Sequence, residues 1–161
     1  MEFEPLKSEK MNKKIIYVDM DDVLCNYKSA FEKALEINPK VGFPQSQFDF
    51  YRKLKPLDQA IESVKTLLQK ENFDIYILTA PSIYNPSSYT EKRIWIEDFF
   101  GMEMVEKLII SPNKGLLKGD YLIDDTPKGR GQENFEGQFI HFGSKEFPTW
   151  KVVLNYFEKL I

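Results

Sequence analysis

The sequence has a single cysteine, Cys25, and a single histidine, His141. One cysteine leaves no internal disulfide, which fits a reducing cytosol, so a cytoplasmic location is expected. Long apolar runs are missing too. Stretches such as Ile15-Ile16-Tyr17-Val18 and Ile75 to Leu78 fall far short of the roughly 20 residues that span a bilayer, so no membrane is expected as a partner. The opening MEFEPLKSEKMNKK lacks the apolar centre of a secretory signal. Neither sign of charge is in excess: 22 Lys and Arg against 25 Asp and Glu give a net charge of −3. So small a negative charge supplies no general drive toward nucleic acid, and none is expected as a partner. An anionic substrate would have to be held by a local site. No repeat, low-complexity segment or Pro/Gly-rich linker divides the chain.

What is present suits one globular domain. The chain has 161 residues, 42% hydrophobic and 29% charged, and a single domain typically takes about 100–200. Residues 1–12 are charged and aperiodic and read as a flexible tail. From residue 13 to 160, short apolar runs alternate with amphipathic stretches. Strands are expected at 14–18, 74–78, 107–110, 121–123 and 139–142. Helices are expected at 26–37, 57–70, 88–100 and 149–160, with Gly101 as a C-terminal cap. Residues 38–56 are irregular, broken by Pro39, Gly42, Pro44 and Pro56. Strands alternating with helices predict an α/β fold: a parallel sheet with right-handed crossovers and helices on both faces.

In such sheets ligands bind beyond the carboxyl ends of the strands. Those ends carry Asp19 with Asp21 after strand one, Thr79 after strand two, Lys114 after strand three, and Asp124-Asp125 after strand four. Close carboxylates repel and raise one another's pKa values. A hard divalent cation relieves that, and carboxylate oxygens with waters are what Mg²⁺ prefers. Even with Mg²⁺ and Lys114, four carboxylates and a phosphate dianion would leave the site negative. One protonated carboxyl is therefore expected, and a general acid for a leaving group needs just that.

These motifs resemble the four motifs of the haloacid dehalogenase (HAD) phosphatase superfamily: Asp19-Met20-Asp21-Asp22-Val23-Leu24, the Thr of ILTA, a downstream Lys, and Asp124-Asp125 after a hydrophobic strand. The finer resemblance is to the 5'(3')-deoxyribonucleotidase family. It rests on the DMD-x-VL opening, on Tyr89-Thr90-Glu91-Lys92 with Trp95 and Phe99-Phe100-Gly101, and on Lys114 followed by Gly119-Asp120-Tyr121-Leu122-Ile123-Asp124-Asp125. The resemblance implies a three-layer Rossmann-like (HAD-like) fold with a small helical cap inserted after strand one, at about residues 26–56. It implies a Mg²⁺-dependent phosphomonoesterase of deoxyribonucleotide catabolism acting on (deoxy)nucleoside monophosphates. Asp19 would be the nucleophile, forming an aspartyl-phosphate. Asp21 would be the acid and base, its backbone carbonyl also touching the metal. Thr79 and the backbone at Ala80 would hold phosphate oxygens, and Lys114 would neutralise the phosphate and orient Asp19. The metal would take Asp19, Asp21 and Asp125 directly, with Asp124 behind or through water. Tyr27 falls where the family stacks an aromatic on the base. Two features depart from the family: Asp22 stands where Gly is common, and the cap is short.

The cap still holds six aromatics (Tyr27, Phe31, Phe43, Phe48, Phe50, Tyr51) in 31 residues, and aromatic walls suit a planar base. Taken singly, each is more often local core. Arg52, Lys53 and Lys55 are expected to add positive charge near the entrance. Lys92 reads as a solvated helix residue, His141 as a structural strand residue, Cys25 as a buried thiol, and Trp95 and Trp150 as core anchors. An open site would also admit sugar phosphates or nucleic-acid ends. A phospho-accepting receiver would need its acceptor Asp after strand three, where Ile110-Ser111-Pro112 stands. A non-catalytic binding domain would leave the full carboxylate set without a task. A homodimer is compatible with the sequence.

Overall fold

A computed structural model describes residues 12–161. Apart from Asn12, the expected N-terminal tail lies outside the described residues. Five strands form one sheet: β1 (Lys14–Val18), β2 (Phe73–Thr79), β3 (Leu108–Ile110), β4 (Tyr121–Asp124) and β5 (Gln138–His141). All pair in parallel, in the order β3-β2-β1-β4-β5. The register sets Val18 beside both Ile77 and Ile123, and Asp124 beside His141. The carboxyl ends of β1 and β4 therefore lie side by side. The crossovers run outward in opposite directions from β1 and β4, and that reversal opens a crevice above the sheet.

Side chains alternate across the strands. Ile16, Val18, Ile75, Ile77, Ile123 and Ile140 face the larger core. Helices α2 (Ala60–Leu68), α3 (Ser87–Phe100) and α5 (Trp150–Glu158) cover them with Val64, Leu67, Trp95, Ile96, Trp150, Val153 and Phe157. Trp95 and Trp150 are core anchors as expected, and each indole N–H donates to a backbone carbonyl, of Leu54 and Val23 respectively. Tyr17, Leu78 and Leu122 face the other way, onto Leu117 and Phe135. That second layer is thin: its crossovers contain only the 3₁₀ turns Lys114–Leu116 and Gln132–Asn134.

Helix α1 (Tyr27–Ile37) and two 3₁₀ turns, Pro39–Val41 and Pro44–Ser46, lie in the otherwise irregular segment between β1 and α2. Helix α2 is shorter than its amphipathic pattern suggests. The Leu57 N–H is drawn to Leu24 O at 2.8 Å, and Gln59 has a left-handed φ of 58°, so the helix cannot begin before Ala60. Gly101 ends α3 at φ 85°, and the one-turn helix α4 (Met102–Val105) follows, which periodicity did not reveal. Among the described residues no helix is long and apolar enough to cross a membrane.

Candidate active site

Three carboxylates meet at the β1/β4 edge. The Asp19 N–H donates to Ile123 O at 2.9 Å, which sews the end of β1 to β4. Asp124 closes β4 and Asp125 follows it. One carboxylate oxygen from each of Asp19, Asp124 and Asp125 lies within 4.8 Å of the others. Lys114, on the 3₁₀ turn after β3, reaches between two of them. Its Nζ is 2.8 Å from Asp19 Oδ1 and 2.6 Å from Asp124 Oδ2, with all three side chains almost wholly buried. The Asn113 carboxamide caps that turn by accepting from the Gly115 N–H, and the Lys114 N–H donates to Arg130 O at 2.6 Å. Lys118, the other lysine nearby, has no ion pair among the described residues, and its carbonyl accepts from the Tyr17 hydroxyl.

The electrostatics follow from crowding in a dry place. Burial first, then the charges of Asp19, Asp124 and Asp22, push the Asp125 carboxyl up to about 8. Burial and Asp19 push Asp124 up to about 6, against the pull of Lys114. Burial works against the Lys114 ammonium, but Asp19 and Asp124 outweigh it and hold its pKa above the usual lysine value. An all-oxygen donor set short of positive charge is what a hard divalent cation fits. The backbone bonds of the next turn run from Asp22 N to Cys25 O and from Cys25 N to Met20 O. They leave the Asp21 carbonyl free of that ladder.

The Asp21 carboxylate is not one of this trio and pairs instead with Lys92. That lysine is fully buried on α3, not solvated as its charge suggested. Its Nζ donates to Asp21 Oδ2 and Thr79 Oγ1, both at 2.8 Å, and lies 4.8 Å from the Tyr51 ring centroid. Burial raises the Asp21 pKa more than repulsion from Asp19 does, and Lys92 opposes both. The signal that could have found Lys92 is its spacing: the buried positions of α3 are Ser88, Glu91, Lys92, Trp95 and Ile96. That is one helical stripe, and Trp95-Ile96 extended one turn back lands on Glu91-Lys92.

A cavity of about 410 Å³ opens over these groups. Asp19, Asp21, Lys114, Asp124 and Asp125 line its floor, with Ala80 beside them. Thr79 lies behind the lining, fully buried, its hydroxyl accepting from Lys92. Tyr27 and Tyr51 form one wall, their ring centroids 6.0 Å apart and their planes 23° from parallel. Phe43 and Phe48 point outward instead, 69% and 84% exposed. The cations at the rim are Lys128 and Arg130 on the loop after β4; Arg52, Lys53 and Lys55 do not line the cavity. That loop is polar and aperiodic, so nothing in the sequence pattern marked it.

Three smaller features complete the site. Asp22 has φ 58°, the left-handed region that glycine enters freely and Asp tolerates, and its carboxylate compensates by accepting from the Lys28 N–H at 2.9 Å. The Cys25 thiol is buried, with its pKa pushed well up by burial and by Asp21. His141 Nε2 sits 2.9 Å from the Asp125 backbone carbonyl, so this ring supports the acidic pair structurally.

Known proteins resemble this chain in sequence and in fold. The family model described as "5' nucleotidase, deoxy (Pyrimidine), cytosolic type C protein" matches residues 42–149. A protein of Vibrio phage KVP40, provisionally named a 5'(3')-deoxyribonucleotidase, is 37% identical over 93% of this chain and 88% of its own length. The mitochondrial 5'(3')-deoxyribonucleotidase of Mus musculus is 36% identical over 66% of this chain, a span that is 43% of the mouse protein. Among solved structures, a haloacid dehalogenase-like hydrolase from Streptococcus pneumoniae superposes with a TM-score of 0.56 at 13% identity, covering 89% of this chain and 90% of that one. At that identity the likeness speaks for the fold alone. The chain has the HAD-like fold and belongs to the 5'(3')-deoxyribonucleotidase family.

Proposed function

We propose that this protein is a Mg²⁺-dependent phosphatase of (deoxy)nucleoside monophosphates that works through an aspartyl-phosphate. As a family member it is a hydrolase of phosphoric monoesters. The observation that carries the finer reading is the trio Asp19, Asp124 and Asp125, bridged by Lys114 beneath a tyrosine wall.

In this reading Asp19 attacks phosphorus and the bond to the leaving oxygen breaks. Asp21 gives its proton to that oxygen. A water then attacks the phosphoryl group, Asp21 takes the water's proton, and phosphate leaves Asp19 free. Lys114 neutralises phosphoryl oxygens and keeps Asp19 aimed, while Ala80, with Thr79 behind it, offers the phosphate a polar seat. Lys92 holds the Asp21 carboxyl at the floor. Asp19, Asp124, Asp125 and the Asp21 carbonyl would hold Mg²⁺, which when bound offsets the negative charge that carboxylates and phosphate bring together. Residues 26–56 act as the cap, and Tyr27 and Tyr51 receive the base. Phosphate release should appear with deoxynucleoside monophosphates and Mg²⁺, and vanish with chelator. A screen that includes sugar phosphates and 5'-phosphorylated oligonucleotides checks this, and higher kcat/KM for either of those classes would overturn the nucleotide assignment. Exposed Phe43, Phe48 and Tyr84, on segments joined by the bond from Asn85 Nδ2 to Gln45 O, suit a homodimer. A light-scattering mass of two chains is the expected result, and a mass of one chain refutes it.

The crowded carboxylates also predict a pH dependence. With Asp125 pushed up to about 8, the native state in chelator keeps a proton that the unfolded chain releases near pH 4. Stability of the metal-free protein should therefore fall as pH rises between about 4 and 8. Metal binding displaces that proton, so Mg²⁺ should raise the melting temperature more at about pH 8 than at about pH 6. A Mg²⁺-induced shift that shrinks with rising pH would contradict this.

A further inference from the structure

Beside Lys92 on α3 stands a second buried charge, Glu91, only 4% exposed. It makes no ion pair among the described residues. Its two oxygens are instead spent on the cap backbone: Oε1 accepts from the Asp49 N–H at 2.6 Å and Oε2 from the Tyr51 N–H at 3.1 Å. Asp49 is one of three non-glycine residues with positive φ among the described residues, at 68°. A side chain held there costs energy and persists only where its surroundings fix it. Two residues on, the Tyr51 ring faces Tyr27, lies beneath the Lys92 ammonium and lines the cavity. A carboxylate is costly to bury without a counter-charge, and this one is satisfied by the two N–H groups that set the path of residues 49–51.

We infer that Glu91 is a positioning residue for leaving-group specificity: it clamps the strained Asp49 turn and so sets the tyrosine wall that receives a planar group. This rests on the proposed nucleotide phosphatase reading, in which a base occupies that wall. Glu91 touches neither the phosphate seat nor the acidic trio. Its influence should fall on substrate binding through the ring and spare phosphoryl transfer itself.

The test compares a deoxynucleoside 5'-monophosphate with β-glycerol phosphate, which has no ring. In Glu91→Gln the amide NH₂ would confront one of the two backbone N–H donors, so the clamp opens with little change in size. KM for the nucleotide should rise about tenfold, the scale of one lost stacking contact. Its kcat should change less than about threefold, and kcat/KM for glycerol phosphate should hold within the same margin. Asp49→Gly, which removes the left-handed strain, should return part of the lost KM when added to Glu91→Gln, and it keeps the test alive if the single variant folds poorly. Loss of both substrates in equal proportion, or no change in nucleotide KM, would overturn the inference. A wild-type protein inactive on both esters would instead overturn the phosphatase reading, which separates the two failures.

Discussion

Asp19→Asn is expected to lower phosphate release by on the order of 10⁵-fold while leaving the fold intact. Asparagine has the same shape, and the Asp19 N–H bond to Ile123 O at 2.9 Å belongs to the backbone and survives. What disappears is the anionic oxygen that would attack phosphorus, and no other carboxylate replaces it from the same place. Asp124 is held by Lys114 and by the Thr126 N–H, and Asp21 is held by Lys92. The substitution also removes one charge from a crowded trio. Lys114 keeps Asp124 as its partner, and the repulsion that helps push Asp125 to about 8 is relieved. The melting temperature in chelator should therefore stay level or rise, unlike the usual outcome at a buried position. Initial rates at saturating nucleotide, beside thermal unfolding, decide it. A variant within tenfold of the wild-type rate would end the covalent mechanism.

The parts of this site that were legible share one property: they sit at the ends of hydrophobic runs. Asp19, Asp124 and Asp125 follow hydrophobic strands, and the rule that parallel sheets bind ligand at their carboxyl edge brings them together from the sequence alone. Lys114 was legible for the same reason. Lys92 was obscured, because a long cation on a helix is normally solvated; it shares the buried stripe of Trp95 and Ile96, and its contacts with Asp21, Thr79 and Tyr51 hold it there. Glu91 is hidden in the same way, since its partners are backbone N–H groups that no residue type announces. Lys128 and Arg130 lie on an aperiodic loop whose path is fixed by the bond from Lys114 N to Arg130 O. The thin second layer follows from residues 111–137, which carry turn formers where a doubly covered sheet carries amphipathic helices.

Lys114→Met should produce the second large effect, and its pH dependence identifies the cause. The ammonium lies between Asp19 and Asp124, whose side chains are 8% and 1% exposed. Methionine nearly fills the space but leaves two buried carboxylates facing each other. Removing one partner from a buried ionic group typically costs about 3–5 kcal/mol. Asp124, already pushed up to about 6 with the lysine present, should then rise further as its nearest positive charge is lost. The sign follows: the native variant retains a proton that the unfolded chain gives up near pH 4, so its stability falls as pH rises above that value. The gap from wild type in chelator should thus be small at about pH 5 and several kcal/mol at about pH 8. Phosphate release should drop on the order of 10³-fold, because charge developing on the phosphoryl oxygens loses its fixed cation. Added Mg²⁺ should recover part of the stability, since it offsets the same carboxylates, but not the rate, since it cannot replace an ammonium aimed at the phosphate. Denaturant unfolding at the two pH values with and without Mg²⁺, beside turnover, separates these effects. A gap that is equal at both pH values would mean that Lys114 contributes packing and not counter-charge.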